Sequence, residues 1–567
     1  MLSTNDRHSA YLDDPYTPAH PAVVGNSSTG GLARVPTIFK QMRGATEDSL
    51  ILDAGDFMDG TAFINAENGS ADLNVLSYLG YDAACLGNHE MSMGPDGLAL
   101  MIQRAKKDPA GKMVPLLCAN IRFSATDPTD DDLEAMYGNE GEPGKYIFPY
   151  IVRTTASGVK VGIFGLMGRD VVMPDAMPLN TFTYEYSEIQ DLVNRLRNTE
   201  KVNVVILLAH ASFNVSNGVP NGELTDLAKN VSGINLIVAG HSHSLVTAKV
   251  DCQVAGVLWS TAIMEAKDTA KYVGRADLQL TKNGMTVTET NTSLIAVDDS
   301  VMADVGITAK IAAFVTDIED TYLTHFPMLK DGGLFDVLAA APFSYGQNNG
   351  MYMVADAMRA ASGAGVAVCT PGADKAWAVP NAAGNITVYE AFNAMPRQMG
   401  RDRLHGGALY KFTLLAAELE GILEMTTCYM GQSSVDYFVV PSGVKIVFDT
   451  RKAVNSRIQQ MYLVSPDEMT ETLIFDRSNS AYDAYGGWTN YGSYGVPGNP
   501  YQLLSVSASL EMLEGMKNLS DSDGPGGIDL WPRKSDGSPV NWILVSELDQ
   551  FVVKSGDNEV KAWYSVA

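Results

Sequence analysis

Five short motifs within the first 243 residues gather side chains that can hold metal ions and move protons. They are Asn5-Asp6-Arg7-His8, Gly55-Asp56, Gly87-Asn88-His89-Glu90, Ala209-His210 and Gly240-His241-Ser242-His243, and they hold five of the chain's eight histidines. Taken singly, Asp-x-His is an ordinary turn and Gly-Asp is a weaker signal still. Gly-Asn-His-Glu and Gly-His-Ser-His are more specific, because several metal-capable groups crowd a few residues. Carboxylate, imidazole and amide oxygen all suit Zn²⁺, Mn²⁺ or iron. Asp6, His8, Asp56, Asn88, His210, His241 and His243 make seven candidate ligands, more than one four-coordinate ion needs. Two divalent ions sharing a bridging carboxylate fit that number. Paired ions about 3.5–4 Å apart serve in-line displacement at phosphorus. His20, His325 and His405 are read as surface or structural residues.

The elements that must position these groups are short strands. Apolar runs at 49–53, 81–86, 160–165, 202–209 and 234–239, most of them with Gly at or near an end, suit buried strands. Helical patterns between them, such as 97–106 and 187–197, indicate an α/β layered domain. In four of the runs Asp, Asn or His follows the apolar stretch, which delivers polar ends to one edge of one sheet. The glycines before these groups (Gly55, Gly87 and Gly240) are expected to let the backbone turn sharply. Residues 281–300 are rich in Thr and Asn and lose the apolar period. Ile307, Ile311, Phe314, Ile318 and Tyr322 then mark one face of a helix, read as a connector. Leu334 begins a second domain, whose first helix is expected over 351–361.

Composition narrows the function classes. A length of 567 residues suits two to four domains at about 100–200 residues each. With 40 Lys and Arg against 66 Asp and Glu, the net charge is −26, which argues against a broad basic surface for a nucleic acid polymer. Small anionic substrates remain compatible, because bound cations reverse the local field. No apolar run approaches the roughly 20 residues of a membrane-spanning helix. The five Cys are scattered and form no C-x-x-C pair, so no zinc ribbon or redox motif is indicated. No leader-like stretch precedes the first motif. The chain is read either as cytoplasmic or as beginning after a removed export signal.

The ordered set of motifs resembles the calcineurin-like metallophosphoesterases. More closely, it is similar to the two-domain 5′-nucleotidase family, which includes UDP-sugar hydrolases and 2′,3′-cyclic-nucleotide phosphodiesterases. Residues 114–121, 162–166, 355–359, 386–392 and 442–445 also fit that family. The resemblance implies a four-layer α/β/β/α metallophosphoesterase domain over 1–300. A connecting helix over 301–333 and an α+β substrate-binding domain over 334–567 would follow it. It implies that Asp6, His8 and His243 hold one divalent ion (Zn, Mn or similar). Asn88, His210 and His241 would hold a second, with Asp56 bridging. His89 would be catalytic, donating to a phosphoryl or leaving-group oxygen, and the nucleophile would be a water activated by the metals. Phe438 would stack on the nucleobase, and Lys375 would stand where the family places a phosphate-binding Arg.

Two departures from the family pattern bear on function. Two residues after Gly-Asn-His-Glu, 5′-nucleotidases carry an Asp that pairs with the catalytic His; this chain has Ser92, with Asp96 nearby as a substitute. Cyclic-nucleotide phosphodiesterases of the family also lack that Asp. The substrate loop Thr370-Pro371-Gly372-Ala373-Asp374-Lys375-Ala376-Trp377 has no Arg. The expectation is therefore an enzyme hydrolysing phosphate esters of small-molecule nucleotides. The alternatives are a 2′,3′-cyclic-nucleotide 2′-phosphodiesterase/3′-nucleotidase, or a metal-binding homologue with weakened catalysis. Export to the periplasm, cell surface or medium is expected from the family and the acidic charge.

Overall fold

Runs of Val, Ile, Leu and Ala bury themselves as strands only if both faces are covered. That requirement organises the computed structural model. It describes residues 1–14, 28–44, 48–126, 128–169, 171, 182–281, 286–329, 331–340, 347–370, 384–396, 399–400, 402–428, 439–453, 456–467, 469–478, 503–509, 512–513, 534–535, 549–555 and 558–566. The chain divides into two units, Met1–Gly332 and Gly333–Ala567.

The strands of the first unit begin with β1 (Leu2–Thr4), β2 (Ile51–Asp53), β3 (Ala83–Cys85), β4 (Leu116–Leu117) and β5 (Ile147–Phe148). Next come β6 (Tyr150–Thr154), β7 (Lys160–Met167), β8 (Val204–His210), β9 (Asn214–Ser216) and β10 (Val219–Asn221). The last are β11 (Leu236–Gly240), β12 (Leu245–Asp251), β13 (Ser260–Ala266), β14 (Tyr272–Leu280) and β15 (Val287–Ala296). One sheet has the order β15-β14-β1-β2-β3-β4-β5, and a second has the order β12-β13-β11-β8-β7-β6. In the first sheet β1 to β5 run parallel and β14 joins β1 antiparallel. In the second, β7, β8, β11 and β13 run parallel, with β6 and β12 antiparallel at its edges.

Alternation along β8 shows how the layers stack. Val204, Ile206 and Leu208 point into the core between the sheets, where they meet Leu52, Ala83 and Leu117. Val205, Leu207 and Ala209 point outward against Ile189 and Val193 of the helix Tyr186–Asn198 and Leu224 and Leu227 of Glu223–Asn230. On the first sheet's side lie the helices Val35–Arg43, Ala71–Leu79 and Gly94–Arg104, with Val35, Ile38 and Phe39 buried. The architecture is α/β, with two facing sheets between helices.

Two local results refine the sequence reading. The Thr- and Asn-rich stretch contains β15, the edge strand beside β14. β-branched Thr suits a strand, and an edge facing water needs no apolar period. The amphipathic spacing at 307–322 forms the helix Val305–Asp317, continued by a wider turn, Ile318–Tyr322. Asp304 caps it by accepting from the N–H groups of Gly306 and Ile307. The helix packs within the first unit: Phe314 meets the Tyr11 ring edge-on at 5.5 Å, and Asp317 accepts from the Glu67 N–H at 2.6 Å.

The second unit is α+β. Its strands are β16 (Val337–Ala340), β17 (Val366–Cys369), β18 (Asn385–Thr387), β19 (Leu409–Leu415), β20 (Val440–Ser442), β21 (Val444–Phe448), β22 (Ile458–Val464), β23 (Glu471–Asp476) and β24 (Leu503–Ser509). A four-stranded sheet β19-β24-β17-β20 and a three-stranded sheet β21-β22-β23 share a core with the helix Ala416–Cys428. The helix expected over 351–361 runs from Gln347 to Ser362. Phe438 and Lys375, the two candidate substrate contacts, lie outside the described residues. No disulfide joins Cys85, Cys118, Cys252 or Cys369.

The sheets come into backbone contact where β7 passes β4. The Gly165 carbonyl accepts from the Ala119 N–H at 2.8 Å, and a Cβ at Gly165 would collide with the backbone carbonyl of Leu117. Backbone cannot rotate away, so Gly165→Ala should cost about 1–3 kcal/mol or more of overpacking. Gly162→Ala is the control, because its Cβ would meet only side-chain atoms of Leu196 and Val202, at 3.1–3.3 Å. Thermal unfolding should show a clear loss for the first variant and a small change for the second. Equal melting temperatures would contradict this packing.

Candidate metal centre

The polar groups expected at strand ends are there, but two sheets supply them rather than one. β1, β2 and β3 of the first sheet lead into Asp6 and His8, Asp56, and Asn88 and His89. β8 and β11 of the second end at His210 and Gly240, the latter just before His241 and His243. The facing of the sheets closes the circle, since one sheet edge would string these groups out along a line at about 4.8 Å per strand. The turning is done by the functional residues themselves. Asp6, His8, Asp56 and His243 have φ of 48°, 50°, 52° and 51°, and His241 has 89°. Left-handed backbone costs a non-glycine residue about 1–3 kcal/mol and gathers at functional sites. Here it is held by a ladder continued past the strands, with the Asp6 N–H on Gly55 O and the His8 N–H on Asp56 O, both at 2.9 Å. Gly55 shares the positive φ, at 92°. Gly87 and Gly240 do not, and their role is space. A Cβ at Gly87 would strike the Asp56 carboxylate, and one at Gly240 would lie 2.9 Å from His210 Nδ1.

Six of the seven candidate ligands converge by direct contact. His243 Nε2 lies 3.3 Å from Asp6 Oδ1 and 3.0 Å from His8 Nε2. His8 Nε2 lies 3.8 Å from Asp56 Oδ2. His210 Nε2 lies 3.1 Å from both Asp56 Oδ2 and Asn88 Oδ1. The seventh, His241, is half-buried with its ring 5.4 Å from that of His210, while its N–H donates to the Asp6 carboxylate. Among the described residues, three groups have donor atoms close enough to share an ion: Asp6-His8-His243, His8-Asp56-His89 and Asp6-Asp56-His210. The chemistry of these donors fits divalent cations. His210 Nδ1 faces the Ala54 carbonyl at 3.0 Å, and His8 Nδ1 faces the Asp59 carbonyl at 3.1 Å. A nitrogen facing a carbonyl carries the proton, which turns each Nε2 lone pair toward the carboxylates. A proton or a metal ion has to lie between atoms so arranged.

Electrostatics point the same way. Burial pushes the Asp56 carboxyl up, yet His210 and His89 outweigh it and hold the group well below the usual range. Burial likewise opposes ionisation of Asp6, but His243 and His210 keep its carboxyl low. Burial pushes the His210 imidazole down, and Asp56 more than reverses that, raising it to about 10. The site thus holds two ionised carboxylates away from water and draws positive charge to them.

Several supporting residues stand in or beside the motifs without being ligand candidates. Glu90 is fully buried and accepts the N–H groups of Asp56, Gly87 and Met58 at 2.9, 2.7 and 3.0 Å, so it ties the β2 and β3 turns together. Burial and the neighbouring Asp56 push it up to about 8. Arg7 points away from the donors and pins the first turn, with Nε 3.1 Å from Asp53. Asp59 Oδ2 lies 3.1 Å from His89 Nδ1 and accepts from Ser92 Oγ at 2.7 Å. Asp96, the substitute considered for the missing family Asp, is exposed in the first turn of Gly94–Arg104. The one hint available for Asp59 is its place three residues after Asp56, on the same strand-end loop.

Comparison with known proteins finds a family match in each unit. Residues 3–245 match the family model described as calcineurin-like phosphoesterase, and residues 333–488 match the 5′-nucleotidase C-terminal domain. The trifunctional nucleotide phosphoesterase protein YfkN of Bacillus subtilis (strain 168) is 27% identical over 492 residues, covering 82% of this chain and 30% of that protein. The 5′-nucleotidase of Bos taurus is 32% identical over 249 residues, covering 43% of this chain and 38% of that protein. The chain thus spans well under half the length of these curated relatives. The crystal structure of a 5′-nucleotidase precursor from Thermus thermophilus shares the fold, with a TM-score of 0.62 at 21% identity over 92% of each chain.

Glu90 offers a test of the scaffold. Glu90→Gln would set an amide NH₂ against a backbone N–H and leave a buried donor unpaired, at about 1–3 kcal/mol. Denaturant unfolding above pH 8, where the Glu90 carboxyl is ionised, should show that loss; unchanged stability there would remove Glu90 from its bracing role.

Proposed function

The chain belongs to the two-domain 5′-nucleotidase family, a calcineurin-like phosphoesterase domain followed by a 5′-nucleotidase C-terminal domain, and from that premise we propose that it hydrolyses nucleotide phosphate esters with two divalent metal ions. The observation that carries the reading is the convergence of Asp6, Asp56, Asn88 and the histidines on one spot at the ends of two sheets, its two carboxylates buried. Asp6, His8 and His243 would hold one ion. Asn88, His210 and His241 would hold the other, and Asp56, in two of the three donor groups, would serve both. When bound, such ions supply positive charge that draws in a phosphoester and acidifies an attacking water.

The chain's own residues do the rest. Asp56 is held in its ionised form, because His210 and His89 outweigh the burial that would raise its proton affinity. His89 presents Nε2 to the same spot, 3.9 Å from Asp56 Oδ2, where it would donate to a phosphoryl or leaving-group oxygen as charge builds. The Ala54 and Asp59 carbonyls keep His210 and His8 in one tautomer. Ser92 does not favour the cyclic-phosphodiesterase reading, since Asp59 supplies a carboxylate to His89 in its stead. We also read the protein as working outside the cytoplasm, in keeping with the charge of −26 and with the Thermus relative being described as a precursor.

Phosphate release from 5′-AMP, 3′-AMP, 2′,3′-cyclic AMP, UDP-glucose and bis(p-nitrophenyl) phosphate, with added Mn²⁺ and after chelation, tests the proposal. A phosphatase couple reports diester opening. Chelator-sensitive turnover of 5′-AMP or UDP-glucose is expected, and His89→Asn should lower kcat by about 10²–10⁴-fold while metal content is kept. Preference for the cyclic or 3′ substrate would move the protein to the phosphodiesterase branch. Bound metal without any turnover would mark a binding homologue.

A further inference from the structure

The His89 side chain meets a carboxylate that comes from a different loop than the family pattern leads one to expect. Asp59 stands six residues past the end of β2, Ser92 seven past the end of β3. Asp59 Oδ2 lies 3.1 Å from His89 Nδ1. Ser92 Oγ lies 2.7 Å from the same oxygen and 2.9 Å from the His89 carbonyl. All three residues are buried. A carboxylate oxygen only accepts, so the imidazole nitrogen facing it bears the proton and Nε2 becomes the nitrogen turned to the donor cluster. The ring of His8 stands edge-on to that of His89, with centroids 4.5 Å apart. Asp59 fixes this second ring too, because its backbone carbonyl lies 3.1 Å from His8 Nδ1. One residue, at φ 56°, thereby aims two imidazoles by two different groups.

We infer that Asp59 is the positioning residue for His89. It occupies the role of the missing third-position carboxylate, while Ser92 secures the carboxylate rather than replacing it. The carboxylate–imidazole pairing is thereby kept and built from a new direction. The kinetic part of the inference rests on the proposed hydrolysis; the pairing itself does not.

The test uses Asp59→Gly, because Gly adopts φ 56° freely and keeps the backbone carbonyl on His8. With bis(p-nitrophenyl) phosphate, D59G should lower kcat about 10–100-fold while KM and metal content stay within about twofold. D59G/S92D, which restores a carboxylate from the family's direction, should recover about tenfold or more of that loss. D59G/H89N should be no slower than H89N, because Asp59 acts through His89. A readout free of turnover is the imidazole N–H spectrum of ¹⁵N-histidine-labelled, Zn²⁺-loaded protein. The Nδ1–H resonance that His89→Asn removes should vanish in D59G and return in D59G/S92D. Normal kcat in D59G, losses that multiply with those of H89N, or a resonance untouched by D59G would each overturn the inference. If the wild type turns over none of the substrate panel, the hydrolysis reading fails. The resonance then still decides the pairing: its loss in D59G supports it and its persistence refutes it.

Discussion

Two buried carboxylates, Asp6 and Asp56, govern this structure. Neither is more than 2% exposed, and both remain ionised because imidazoles surround them. Burying like charges together is costly unless positive charge lies between them. The left-handed turns, the facing histidines and the backbone donors all serve that one demand. The backbone N–H groups of His241 and His89 point at the two carboxylates, at 3.0 and 2.8 Å, so even the main chain of two further motifs is recruited.

The layered fold is what makes the arrangement possible. Parallel strands send their carboxyl ends the same way, which gathers loops at one end of a sheet. One sheet alone would give a row. Two sheets packed face to face give a ring, and the close pass of Gly165 over Leu117 shows how near they come. His210 and His241 arrive from the second sheet and reach Asp56 and Asp6 of the first. The strain of the turns that carry the candidate ligands is met by bonds that bridge strand-end loops, with Glu90 accepting from three backbone N–H groups at once.

Much of this is legible in the residues. Apolar runs ending in Asp, Asn or His identify strands and their functional ends, because both signals are local. The helix face Ile307, Ile311, Phe314, Ile318 and Tyr322 is legible for the same reason, by its spacing. The pairing of strands into two sheets is not local, so the motifs alone place every group on one edge. β15 is hidden because its Thr and Asn alternate without an apolar face. Gly87 and Gly240 look like turn residues, yet their backbone is ordinary and what they spare is room for Asp56 and His210. Asp59 escapes notice because position 92 draws attention to its own neighbourhood, to Ser92 and Asp96. The partner stands 30 residues before His89, across a strand pair that only the fold closes.

We propose that Asp56 stands between two cation sites. Anomalous diffraction from crystals equilibrated with Mn²⁺ tests it most directly. Two peaks should flank the Asp56 carboxylate, one within bonding distance of His8 and His243 and the other of Asn88, His210 and His241, with His89 bonded to neither. No peak at Asp56, or a single ion bonded to His89, would contradict this placement.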